Sequence, residues 1–111
     1  MDRAAADKRL RRSSAESILN TMRAIRVVVT GRVQGVGFRA FAIRRAGELG
    51  LAGWVRNRPD GAVEAEAFGR EPELLRFVEA LRVGPGHARV ERAAEEWFES
   101  AGAPDGFRVT G

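Results

Sequence analysis

From Ala24 onward, apolar and polar residues alternate with two different periods, and each switch of period marks an element boundary. In "AIRVVVTG", Ile25, Val27 and Val29 share one face of a β-branched run that ends at Gly31, which predicts a strand. Phe38, Phe41, Ala42, Ala46 and Leu49 then recur at helical spacing, with Gly50 as the stop and Gly47 as a weak point inside. "LAGWVRN" predicts a second strand, and "RPDG" a turn with Pro59 at its second position. "AVEAEAFG" predicts a third strand, paired with the second, in which Val63, Ala65 and Ala67 face inward and Glu64 and Glu66 face solvent. "EPELLRFVEAL" predicts a second helix. Pro72 suits its first position, Glu71 and Glu73 complement its dipole, and Leu74, Leu75, Val78 and Leu81 form its apolar stripe. "VGPGH" breaks that helix. "ARVERAAEEWFE" reads as a longer polar strand near a sheet edge, and "GFRVTG" as a short last strand through Phe107 and Val109.

The order β-α-β-β-α-β with one extra strand predicts an α+β, ferredoxin-like sandwich: an antiparallel sheet with both helices on one face. The fold hosts many functions, so function has to come from a site. Residues 1–22, "MDRAAADKRLRRSSAESILNTM", are charged and alanine-rich and show no strand pattern. They are expected to be a loosely ordered basic extension to a domain of residues 23–111. Ser13 and Glu16 offer a capping box for a short helix there, and Met22 is a candidate start.

Composition narrows the chemistry. The 111 residues are enough for one domain with a single modest core. With no cysteine and one histidine, His87, neither a thiolate nor a multi-histidine metal site is available, and no metal or cofactor is expected. There is no apolar run of membrane-spanning length and no signal-peptide h-region, so a cytoplasmic protein is expected. Of the net charge of +4, residues 1–23 supply most, through six basic and three acidic residues. The rest is nearly neutral, which weakens any nucleic-acid reading based on charge alone.

The stretch "GRVQGVGFR", Gly31 to Arg39, joins the first strand to the first helix. A glycine-rich turn at a helix N-terminus presents backbone N–H groups with no intrahelical partner, a natural nest for an anion. Arg39 would add a forked guanidinium contact to phosphate oxygens. A tight turn with Arg39 in a surface ion pair is the plainer alternative. The Gly-Lys-Ser/Thr ending of a nucleotide-binding P-loop is missing. Asn57, in "GWVRNRPDG", lies near the end of the second strand on the helix-covered face if Val55 points into the core. In this topology strands one and two run parallel, so Asn57 and the glycine-rich loop should be neighbours.

With these residues in place, the sequence resembles the acylphosphatases. Gly31 to Arg39 matches the family's Gly-x-Val-Gln-Gly-Val-x-Phe-Arg loop. Gly53, Val55 and Asn57, followed by Asp60-Gly61, match its second signature, and the likeness covers residues 24–111. The resemblance implies metal-independent hydrolysis of an acyl phosphate, a small-molecule substrate, with phosphate or sulfate as inhibitor-like anions and a monomer as the working form. It implies that Arg39 binds phosphate and Asn57 positions the attacking water. The phosphate cradle would be the backbone amides of Arg32, Val33, Gln34, Gly35, Val36, Gly37 and Phe38. Arg58 departs from the small hydroxyl residue common at its position in relatives.

Two rivals come from other classes. An RNA-binding module shares the topology, but it needs exposed aromatics on the third strand, where this chain offers only Phe68 near the end. A regulatory domain that binds phosphate or carbamoyl phosphate without efficient turnover is the other. His87 reads as a surface residue, Trp54 and Trp97 as packing residues, and Glu95-Glu96 as solvent-facing.

Overall fold

The computed structural model describes residues 22–111. Its elements are strand β1 (Met22–Arg32), helix α1 (Phe38–Glu48), strands β2 (Ala52–Asn57) and β3 (Val63–Gly69), helix α2 (Glu71–Val83), and strands β4 (Arg89–Ser100) and β5 (Phe107–Val109). They form one five-stranded sheet in the order β4-β1-β3-β2-β5. β1 pairs antiparallel with β3 and β4, and β2 pairs antiparallel with β3, so β1 and β2 run in the same direction with β3 between them. The expected extension lies outside the described residues except for Met22, which opens β1.

The sheet is antiparallel as expected except at one edge. β5 joins β2 in parallel, with Val55 opposite Val109, so the sheet is mixed. The polar strand β4 occupies the other edge, as its pattern predicts. Alternation puts Ile25, Val27, Val29, Val55, Val63, Ala65 and Ala67 on the helix-covered face, all buried. Phe38, Ala42 and Ala46 of α1 cover them from one side, and Leu74, Phe77, Val78 and Leu81 of α2 from the other. α1 ends as its glycine predicts: the Gly50 N–H donates to the Gly47 carbonyl at 3.2 Å and the Leu51 N–H to Ala46 at 2.9 Å, a Schellman closure.

Three expectations need correction. The apolar stripe of α2 runs through Leu74, Phe77, Val78 and Leu81, while Leu75 is 48% exposed. One residue advances a helix by about 100°, so Leu75 leaves the stripe that Phe77 completes. Glu71 begins that helix, so Pro72 falls second, where its missing N–H still costs no intrahelical bond. Glu64 and Glu66 do face away from the helices, but they do not face solvent. Glu64 is only 7% exposed. Arg56 from β2 donates to Glu64 at 2.9 Å, and Arg26 from β1 donates to Glu66 at 2.6 and 2.9 Å. Arg26 also lies 3.6 Å from both Glu64 and Glu96. The open face is thus roofed by arginine stems crossing between strands. No described helix is long and apolar enough to cross a membrane.

Candidate active site

The glycine-rich loop is pinned at both ends and curled between them. Val33 at its root and Phe38 at its exit are both buried, and the register of β1 against β4 shifts between Thr30 and Gly31, a bulge that bends the strand's end. Between the anchors, Gly35 and Gly37 take φ of 76° and 81°, the left-handed region in which a Cβ is disfavoured. Gly37 caps α1 with no side-chain bond. The first helical hydrogen bond runs from the Phe41 N–H to the Gly37 carbonyl at 3.0 Å, which leaves the Phe38, Arg39 and Ala40 amides without intrahelical acceptors. No acidic residue sits in that first turn, so nothing there opposes the positive end of the helix dipole.

A side chain ties the loop to its neighbour. The Gln34 amide nitrogen donates to the Arg58 carbonyl at 2.8 Å and to the Ala62 carbonyl at 3.0 Å, clamping the loop onto the β2–β3 turn that follows Asn57. That turn is closed from within. The Arg58 N–H donates to the Ala62 carbonyl at 2.8 Å, and the Gly61 N–H to Arg58 at 3.1 Å. Asp60 accepts from the Ala62 N–H at 3.1 Å and from the Arg58 guanidinium at 2.9 Å. These contacts hold its carboxyl below the usual aspartate range, the Ala62 amide first and Arg58 second. Arg58, the departure from the family pattern, therefore spends its charge on the turn.

The loop and Asn57 meet as the topology requires. A cavity of about 390 Å³ is lined by Gly35, Gly37, Arg39 and Asn57 together with the apolar Val33, Phe38, Ala40, Ile43 and Val109. Arg39 forms no ion pair with a carboxylate among the described residues. Of the expected cradle residues, Arg32, Gln34 and Val36 do not line this cavity. Arg32 is the last residue of β1, in register with Arg89; Gln34 turns to the hairpin; Val36 packs toward the core. Sequence reasoning missed Ala40, Ile43 and Val109, and it missed the Gln34 side chain as a clamp. Ile43 had a signal, since it lies one helical turn after Arg39. A larger depression between the helices, lined by Arg45, Pro72, Leu75, Arg76, Glu79 and Ala80, brings together neither loop amides nor a carboxamide.

No carboxylate or imidazole lines the 390 Å³ cavity, and no group of three potential metal ligands occurs among the described residues. The cavity offers backbone donors, a guanidinium, an amide and an apolar wall. That set suits an oxyanion carrying an uncharged substituent.

The chain is similar to known proteins in both sequence and structure. An acylphosphatase of Salinibacter ruber is 52% identical over 81 residues, spanning 73% of this chain and 85% of that protein. The crystal structure of acylphosphatase from Bacillus subtilis superimposes with a TM-score of 0.70 at 42% identity, covering 80% of this chain and 99% of that one. Full-length HypF, crystallised in a phosphate- and nucleotide-bound form, matches with a TM-score of 0.74 at 25% identity, over 81% of this chain but 12% of its own. The acylphosphatase family model matches residues 25–109, nearly the whole described chain, and with the relatives at this identity and coverage the chain belongs to the acylphosphatase family.

Proposed function

We propose that the chain hydrolyses acyl phosphates without a metal, using Arg39 and the loop amides to hold the phosphoryl group and Asn57 to set the attacking water. The observation that carries this reading is that Gly35, Gly37, Arg39 and Asn57 line one cavity. A carboxylate is a good leaving group, so the reaction needs no strong general acid. Phosphoryl transfer passes through a loose transition state with charge spread over the equatorial oxygens, and catalysis reduces to positioning and charge stabilisation. The amides and the Arg39 fork meet those oxygens. The Asn57 carboxamide oxygen accepts a hydrogen bond from water and aims its lone pair at phosphorus. The water oxygen bonds to phosphorus as the bond to the acyl oxygen breaks, the carboxylate leaves with the electron pair, and a phosphoryl oxygen takes the water's proton. An amide is not a base, and the cavity wall supplies no other base.

The two rivals stand differently. An RNA-binding sheet needs exposed aromatics at the middle of its open face, where β3 instead presents Glu64 and Glu66. A binding-only domain would use the same loop and arginine, so turnover of an acyl phosphate is what separates it from a hydrolase. The deciding experiment is hydrolysis of benzoyl phosphate by the full chain with and without a chelator, with inorganic phosphate as inhibitor. Turnover is expected to be unchanged by the chelator and competitively inhibited by phosphate. Activity that disappears with the chelator and returns with a divalent ion would overturn the mechanism.

A further inference from the structure

We propose that Val109 and Ile43 form an acyl-group subsite that selects substrates with an uncharged, apolar acyl part; this rests on the hydrolysis reading above. Val109 is a large apolar residue in a three-residue edge strand, yet it is 44% exposed. Its direction is fixed by pairing: Val55 lies opposite Val109, and the Thr110 N–H donates to the Val55 carbonyl at 2.9 Å. Val55 is fully buried under the helices, so Val109 faces the same side, one strand over and one pleat short of Asn57. Phe107, two residues earlier, is on that side too and meets Phe77 of α2 at 5.6 Å. α1 packs over β5 and brings Ile43 to the same cavity.

The cavity therefore has two kinds of lining. Amides, Arg39 and Asn57 form one, and Ile43, Val109 and Ala40 supply the other. An acyl phosphate has the same division. With its phosphoryl group on the loop, its acyl carbon chain or ring must leave along the apolar wall, where it gains contact area and meets no partner for a second charge. A carboxylate-bearing acyl group would lose part of its hydration against that wall and find no charged partner on it.

The test compares kcat/KM for benzoyl phosphate with that for acetyl phosphate, in the unmodified chain and in Val109→Ser and Val109→Leu. The unmodified chain should favour benzoyl phosphate. Val109→Ser should lower the benzoyl-to-acetyl ratio by about tenfold, the low end of what a lost apolar pocket contact gives, and Val109→Leu should restore it. The inhibition constant of inorganic phosphate, which lacks an acyl group, should not change in either variant, and it doubles as the check on folding. A ratio near one in the unmodified chain, or a ratio that Val109→Ser leaves intact, overturns the subsite while leaving hydrolysis standing. Hydrolysis of neither substrate removes the hydrolysis reading and the subsite with it.

Discussion

Arg39 and Asn57 are asked to do separable things, and substitution should separate them. Arg39→Lys keeps a positive charge but loses the planar fork that matches two phosphate oxygens. It should weaken inhibition by phosphate and lower kcat/KM together. Asn57→Ala removes only the water's acceptor, so phosphate inhibition should persist while kcat falls by about 100-fold, the usual cost of losing one positioned polar group in a transition state. Asn57→Asp should be worse, because it sets a carboxylate against the phosphoryl group. Steady-state kinetics with phosphate inhibition reads all three. An Asn57→Ala enzyme with unchanged kcat would refute the water-positioning role. Their placement on one cavity was legible in the sequence, since the parallel course of strands one and two brings Asn57 to the loop that leads into Arg39. The Gln34 clamp was not legible. Its acceptors, the Arg58 and Ala62 carbonyls, are 24 and 28 residues away and depend on the path of the hairpin.

At the level of elements, the β2–β3 hairpin carries the site's most demanding local geometry. Gly53 takes φ of 147°, and a Cβ there would collide with the Glu66 carbonyl oxygen of β3. The signature glycine is therefore a packing requirement of the strand that delivers Asn57. At the other end of the hairpin, Asp60 makes the turn sensitive to acid. Its folded pKa lies below the ordinary aspartate value of about 3.9, so its contribution to stability is fully present above that value. The contribution is lost as pH falls through the lower folded pKa. Thermal melts should show Asp60→Asn less stable than the unmodified chain at neutral pH, with the gap constant down to the ordinary aspartate pKa and closing below it. A gap that persists undiminished in strong acid would show that the Asp60 charge is not its source. The elements themselves were legible where one period dominates, as in β1 and β3. They were misread where the contest is non-local. Adjacent apolar residues left Leu75 and Phe77 indistinguishable by composition, and the arginines covering Glu64 and Glu66 arrive from strands distant in sequence.

For the molecule as a whole, the main hydrophobic cluster lies on the helix-covered side of the sheet, with Ala24 and Phe68 buried on the other, and the two parts of the candidate site draw on different elements. The phosphate part is built by β1, the loop and α1, rooted on Val33 and Phe38, with Asn57 delivered by β2. The apolar part takes Ala40 and Ile43 from α1 and Val109 from β5, whose parallel docking to β2 had no local sequence signal because it pairs residues more than fifty positions apart. α2 supports β5 through Phe77, which is fully buried against Phe107. Replacing Phe77 by Ala should cost about 3–5 kcal/mol, a large share of the stability of a small domain. Phe77→Leu keeps more of the volume and should cost about 1.5 kcal/mol. Urea unfolding followed by circular dichroism measures both losses. Saturating inorganic phosphate should then stabilise Phe77→Leu as much as the unmodified chain, by about 2.7 kcal/mol at a hundredfold excess over Kd. Over the same comparison, its preference for benzoyl over acetyl phosphate should drop. If phosphate stabilises the variant less, the anion cradle leans on β5 after all, and its independence from the strand that carries Val109 fails.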